Sequence, residues 1–169
     1  MKKIDFSKLQ KNAAQMIGQQ WMLITAGTPD SFNCMTASWG GVGFLWNRPV
    51  AFVFVRPNRH THRLIEEQAG MTLSFMPEAY REDLLFCGRH SGRDVDKMAE
   101  TKLKPAAAEN GGVFMQDADV VLECRKMFRT TLQQADFLRW QEVSPRFYAE
   151  DNPLHDLYIC EITATWVRE

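Results

Sequence analysis

Asn47-Arg48-Pro49-Val50-Ala51-Phe52-Val53-Phe54-Val55 is the stretch from which the fold is read. Val50–Val55 is an unbroken run of β-branched and aromatic residues plus alanine, the pattern of a strand buried on both faces. Asn47-Arg48-Pro49 is a turn signal in front of it. Beyond the turn, Asn33–Trp46 begins small and polar and becomes apolar. Two strands joined across Asn47–Pro49 make a hairpin, so the pairing here is antiparallel.

The same reading extends outward. Upstream, Trp21–Ala26 is a strand ended by Gly27-Thr28-Pro29-Asp30, and Asp5–Gln19 carries Phe6, Leu9, Ala13, Met16 and Ile17 at the spacing of an amphipathic helix. Downstream, Arg56–Ala69 switches to helical spacing and stops at Gly70. Met71–Met76 is a strand, Glu78–Phe86 and Val95–Leu103 are helical, and Lys104–Gly112 is a loop. Val113–Met115 and Ala118–Thr131 are strands, Ser144–Pro153 is irregular, and Leu157–Val167 alternates as a final strand. Six or seven largely sequential strands with helices between some of them fit an antiparallel β-barrel with peripheral helices better than a parallel βαβ sheet. No glycine-rich dinucleotide or P-loop motif follows any strand.

A chain of 169 residues is expected to form one domain, over 1–169, with a core that needs no disulfide or metal. Its 45% apolar and 24% charged composition is that of a globular protein. A net charge of −1 provides no field for nucleic acid or an anionic membrane. The apolar runs are too short to span a bilayer, and Met1–Leu9 lacks the apolar stretch of a signal peptide. Cys34, Cys87, Cys124 and Cys160 form no Cys-x-x-Cys pair and read as reduced thiols of a cytoplasmic protein.

Three stretches could carry chemistry. Asn33–Gly43 combines small residues, the hydroxyls of Thr36 and Ser38, and the flat face of Trp39, a wall suited to a planar heteroaromatic ring. Taken alone, it also reads as a strand with a glycine-rich bulge. Arg56–Arg63 opens a helix with Arg56, Arg59 and Thr61, a set suited to phosphate. It reads equally as a solvated basic turn, with Thr61 or Asn58 as the helix cap. His60-Thr61-His62 lacks a carboxylate or thiolate to complete a metal site. Cys87–Lys97 holds Ser91 and Asp94 in a capping-box-like start, with Arg93 and Lys97 near a second helix N-terminus. Its plainer reading is a surface helix cap, and Cys87 beside His90 lacks a third group to orient a nucleophile. His155, ahead of the last strand, is either a surface residue or a polar group at a pocket edge.

Together these stretches resemble the flavin reductase-like family, whose fold is the FMN-binding split β-barrel, and within it flavoredoxin-type members. The resemblance is carried by Asn33-x-Met35-Thr36-Ala37-x-Trp39, Arg56-Pro57-x-Arg59-x-Thr61, Cys87-Gly88-x-x-Ser91-Gly92-Arg93-Asp94-Val95-Asp96-Lys97 and His155-x-x-Tyr158-Ile159-x-Glu161-Ile162. It runs from about Trp21 to Trp166. It implies FMN held non-covalently at a homodimer interface. Asn33, Met35, Thr36, Ala37, Ser38 and Trp39 would line the isoalloxazine and ribityl chain. Arg56, Arg59 and Thr61 would hold the phosphate, Ser91 and Lys97 would approach it, and Cys87 would lie near the flavin. His155 would contact substrate. The activity implied is an FMN-dependent oxidoreductase fed by NAD(P)H or a protein donor, with no catalytic side chain required because the hydride chemistry belongs to the cofactor. The alternative is a non-catalytic FMN electron-transfer protein. A third reading, a barrel without flavin that meets nucleic acid, is opposed by the near-neutral charge and by the lack of aromatic residues among the basic ones of Arg56–Arg63.

Overall fold

The computed structural model describes residues 1–148 and 152–169. In chain order they form β1 (Lys2–Ile4), a 3-10 turn (Phe6–Lys8), α1 (Ala13–Gln15) running into a π-helical turn (Met16–Gln20), β2 (Met22–Thr28), β3 (Ser31–Ala37), β4 (Gly40–Leu45) and β5 (Arg48–Val55). Then come α2 (His60–Glu67), β6 (Gly70–Phe75), α3 (Arg81–Arg89), α4 (Lys97–Glu100), β7 (Pro105–Ala107), β8 (Val113–Met115), β9 (Val120–Thr131), α5 (Trp140–Phe147) and β10 (Asp156–Val167). The main sheet runs β3-β2-β6-β9-β10-β5-β4, with β1 also on β10. Every ladder in it is antiparallel.

The hairpin at Asn47 forms as expected, one residue earlier. Trp46 (φ 52°) and Asn47 (φ 57°) both lie in the left-handed region and Leu45 pairs with Arg48. That is the two-residue turn whose twist matches its strands. The strand after it is not buried evenly. Val50, Ala51, Val53 and Val55 are buried, whereas Phe52 and Phe54 are half-buried.

The sheet curls without closing. Its terminal strands, β3 and β4, share no ladder among the described residues. Yet Gly40 of β4 lies so near β2 that an added Cβ would stand 3.0 Å from Met22 Cε and 2.6 Å from Phe52 O. Val42 packs on the same core as Met22. The split therefore falls between β3 and β4, at Ser38-Trp39. Alternation sets the two faces of the sheet. Met22, Ile24, Leu122 and Cys124 join the inner core, while Leu23, Val121 and Cys34 join a second cluster with Leu84 and Cys87 of α3.

Four expectations are corrected. The helix over Asp5–Gln19 is broken up because two residues within it cap locally. Asp5 accepts from Ser7 N, and Asn12 accepts from Ala14 N and Gln15 N. The helix over Val95–Leu103 shrinks to Lys97–Glu100, capped by Asp96 and ended where the Thr101 hydroxyl donates back to Lys97 O. Lys104–Gly112 is not wholly a loop, since Pro105–Ala107 pairs with Val113–Met115 across Asn110-Gly111-Gly112. Ser144–Pro153 is irregular only in part. Trp140–Phe147 is helical despite Pro145, and residues 149–151 lie outside the described residues.

Candidate functional site

The end of β3 and the end of β5 lie on either side of the split. After Val55 the chain turns into α2, and alternation carries Phe54 and Arg56 to the same side of β5. A polar network seats α2 on β10. His62 Nε2 lies 2.7 Å from Asp156 Oδ2, Tyr158 Oη donates to Glu66 Oε1 at 2.6 Å, and Arg129 Nη2 donates to Asp156 Oδ2 at 2.7 Å. Hydrogen bonding from Thr131, His62 and Arg129 outweighs burial and holds the Asp156 carboxyl below the usual range.

A two-part groove runs over this junction. The aromatic part, about 220 Å³, is lined by Met35, Thr36, Ala37, Ser38 and Trp39, with Phe54, Arg56, Arg59 and His155 opposite. The cationic part, about 200 Å³, is lined by Asn33, Met35, Asn58–Thr61, Gly88–Arg93 and Lys97. Met35 and Arg59 belong to both, so the parts are continuous.

In the aromatic part Trp39 meets Phe147 edge-on at 4.9 Å and His155 at 5.1 Å between ring centroids. His155 Nδ1 lies 3.0 Å from Tyr148 Oη. Burial, reinforced by Arg56, lowers the His155 pKa to about 4, so its imidazole is neutral at pH 7. Arg56 donates to Pro153 O at 3.1 Å and Phe147 O at 2.7 Å. Its fork is thus spent on the chain that roofs the groove.

The cationic part has no acidic lining residue among the described residues. Arg59 donates to Gly88 O at 3.0 Å, and burial followed by the nearby Arg56 charge lowers its pKa. Arg93 donates to Asn58 O at 3.2 Å. Lys97 is buried, and its Nζ donates to Cys34 O at 2.7 Å and Cys87 O at 2.8 Å. Burial lowers the Lys97 pKa. None of Arg59, Arg93 or Lys97 forms an ion pair with a carboxylate among the described residues. His60 Nδ1 is buried without a hydrogen-bond partner among the described residues. Arg59, half-buried, and Lys97, buried, thus stand without a carboxylate partner among the described residues, an arrangement that favours an anion beside them. Asn33 Nδ2 donates to Thr61 Oγ1 at 2.8 Å and ties β3 to α2 at the floor of this part.

The structure thus gathers Asn33, Met35, Thr36, Ala37, Ser38, Trp39, Arg56, Arg59, Thr61, Ser91, Lys97 and His155 on one groove. Cys87 does not line it. This residue is fully buried under α3 with its Sγ 3.8 Å from Cys34 Sγ. Arg56 lines the aromatic part, away from the cationic part in which the phosphate set was expected. Neither Thr61 nor Asn58 caps α2, whose N-cap is Arg59 without a side-chain bond. Ser91 starts a turn, accepting from Arg93 N at its Oγ and from Asp94 N at its carbonyl. Eight groove residues lie outside the expected set: Phe54, read as core, Asn58, read as a helix cap, His60, considered only as a metal ligand, and Gly88, Arg89, His90, Gly92 and Arg93 of the third stretch. The period-two relation of Phe54 to Arg56 was the available signal.

The architecture is a curled antiparallel sheet, open at one seam, with a cationic pocket running into an aromatic one. The chain belongs to the flavin reductase like domain family, which matches residues 15–169. No curated protein matches it. Among solved structures, flavoredoxin of Desulfovibrio vulgaris (Miyazaki F) superposes with a TM-score of 0.69 at 21% identity, covering 98% of this chain and 78% of that one. The FMN-binding protein from Thermus thermophilus with bound p-hydroxybenzaldehyde gives 0.69 at 20% identity, covering 88% and 71%. A putative flavin reductase from Haemophilus somnus gives 0.69 at 11% identity, covering 98% and 90%. At these identities the likeness is one of fold, and it supports the split-barrel architecture.

Proposed function

We propose that the protein is an FMN-dependent oxidoreductase that takes electrons from NAD(P)H or a protein donor. The observation that carries the reading is the cationic pocket, free of acidic lining and with a buried, unpartnered His60 Nδ1 among the described residues, opening into a groove walled by Trp39, Phe54 and His155. A dianionic phosphate joined to a flat ring fits such a site at both ends. The family membership and the likeness in fold to an FMN-binding protein from Thermus thermophilus support the choice of cofactor.

On this reading Arg59, Thr61, Ser91 and Lys97 hold the phosphate and Asn33 braces Thr61. Met35–Trp39 line the ring and the ribityl chain. Arg56 secures the roof through Phe147 O and Pro153 O. FMN would supply hydride acceptance and onward electron transfer. The chain itself binds, orients and screens. His155, neutral and held from Nδ1 by Tyr148, keeps Nε2 for a substrate polar group. Residues 1–169 act as one domain. Phe44, Trp46 and Phe128 are exposed, and Phe44 lies on the edge strand β4 with Trp46 just after it, a surface suited to a second copy of the chain. Four free cysteines support a reducing, cytoplasmic setting.

The test is the visible spectrum of purified protein after loading with FMN and desalting, followed by mixing with NADH and with NADPH. Retained flavin bands that bleach with a nicotinamide support the reading. Retained flavin that neither nicotinamide bleaches refutes the nicotinamide-donor arm.

A further inference from the structure

Cys34 on β3 and Cys87 on α3 are separated by 53 positions in sequence, yet their sulfurs lie 3.8 Å apart in the second core cluster. A single ammonium, Lys97 Nζ, donates to the carbonyls of both cysteines and holds the two backbones together. Cys34 also lines a cleft of about 700 Å³ between β3 and the Gly92–Met98 turn, which shares Asn33, Gly92, Arg93 and Lys97 with the cationic pocket. We propose that Cys34 and Cys87 are a redox modification site that closes to a reversible intramolecular disulfide, with a hydroperoxide as oxidant.

The chemistry balances. The Cys87 sulfur, which accepts the Cys34 S–H, attacks one peroxide oxygen. The O–O bond breaks and leaves Cys87 as a sulfenic acid and the other oxygen as water. The Cys34 sulfur then attacks the sulfenic sulfur, the S–S bond forms, and a second water leaves. Two thiol sulfurs lose two electrons and hydrogen peroxide gains them. The Cys34 contact and the Lys97 charge both favour the Cys87 thiolate, although burial opposes them. Cys124 and Cys160 belong to the other core cluster, apart from this pair; burial pushes their thiols up, as the Cys87 contact and burial push up that of Cys34. Bond formation draws the sulfurs in to about 2.0 Å. That moves Gly88, which follows Cys87 and whose carbonyl holds Arg59, so oxidation reaches the groove. The bond forms with or without a flavin present.

Fully reduced protein is treated with hydrogen peroxide, unfolded in N-ethylmaleimide and mapped by mass spectrometry without reductant. Exposed Met127 reports that peroxide has acted, through its sulfoxide. The expected result is one linked peptide pair, Cys34 with Cys87, two alkylated thiols from Cys124 and Cys160, and recovery of all four thiols after dithiothreitol. Cys34→Ser is expected to abolish the link. Met127 sulfoxide with four alkylated cysteines, or a link through Cys124 or Cys160, overturns the proposal. The wild-type map alone decides the matter if Cys34→Ser fails to fold.

Discussion

Replacing Arg59 with methionine separates a binding role from a structural one. The guanidinium is half-buried at the point where the two parts of the groove meet, and Gly88 O is its one bonded protein partner among the described residues. A charge-assisted contact from such a group to a phosphate contributes roughly 1.5–3 kcal/mol. At ~1.4 kcal/mol per tenfold, Arg59→Met should weaken FMN binding by about 10- to 150-fold. The free protein should scarcely notice. Losing the bond to Gly88 O costs about 1 kcal/mol. Against this, burial and the neighbouring Arg56 charge already act against the Arg59 cation, and the substitution relieves both. Titration of flavin-free protein by FMN fluorescence quenching gives the affinity, and urea denaturation gives the stability. A folded Arg59→Met protein that binds FMN within twofold of wild type would refute the phosphate assignment. So would a loss of stability of several kcal/mol with FMN affinity intact, since Arg59 would then be a structural strut.

Three further outcomes can be measured. An alanine at Gly92 would place its Cβ 2.1 Å from Asn33 Oδ1, an atom fixed by the bond from Asn33 to Thr61. Gly92→Ala should cost ~1–3 kcal/mol in a urea titration, and wild-type stability would show that Asn33 swings aside freely. His155 titrates near 4 when folded and near 6.5 when unfolded, so the unfolded chain binds the extra proton. Stability should therefore rise between about pH 4 and pH 6.5, by at most ~3 kcal/mol, and His155→Gln should flatten that part of the pH–stability curve. An unaltered curve would exclude a buried neutral imidazole. Asn47→Gly, at φ 57° in the β4–β5 turn, should stabilise the fold by at most ~1 kcal/mol and raise the melting temperature slightly. A lower melting temperature would mean that the Asn47 side chain holds the turn.

The strands were legible because they are deeply buried. β2 and β5 are near-continuous apolar runs, and β6 alternates Met71, Leu73 and Phe75 with Thr72 and Ser74. β1 was not legible, because Lys2 and Lys3 give it no apolar signal, and only the reach of β10 to Val167 creates its partner. α5 was hidden by Pro145, and the Asp5–Gln19 periodicity concealed two local caps. The same division holds at the groove. The three motifs could be read in order, but their convergence is tertiary. Lys97 looks like an exposed helix-start lysine in sequence and is instead buried between two backbones. The resemblance alone placed Cys87 near the flavin, whereas α3 directs its side chain into the core beside Cys34. Phe54 carried no sign in its own run that one face of β5 would open onto a groove.

The pairing of Lys2–Ile4 with Thr165–Val167 spans about 160 residues of chain. Loop-closure entropy grows as (3/2)RT ln n, so joining these segments from an otherwise unstructured chain would cost ~4–5 kcal/mol. A three-residue ladder offers little against that. β1 can therefore dock only after the rest of the sheet has shortened the effective loop, and it is the last strand to arrive. By the same reasoning it is the first to leave. The amides of Lys2–Ile4 should exchange with solvent deuterium through local fraying, while those of Leu23, Val53 and Leu122 wait for global unfolding.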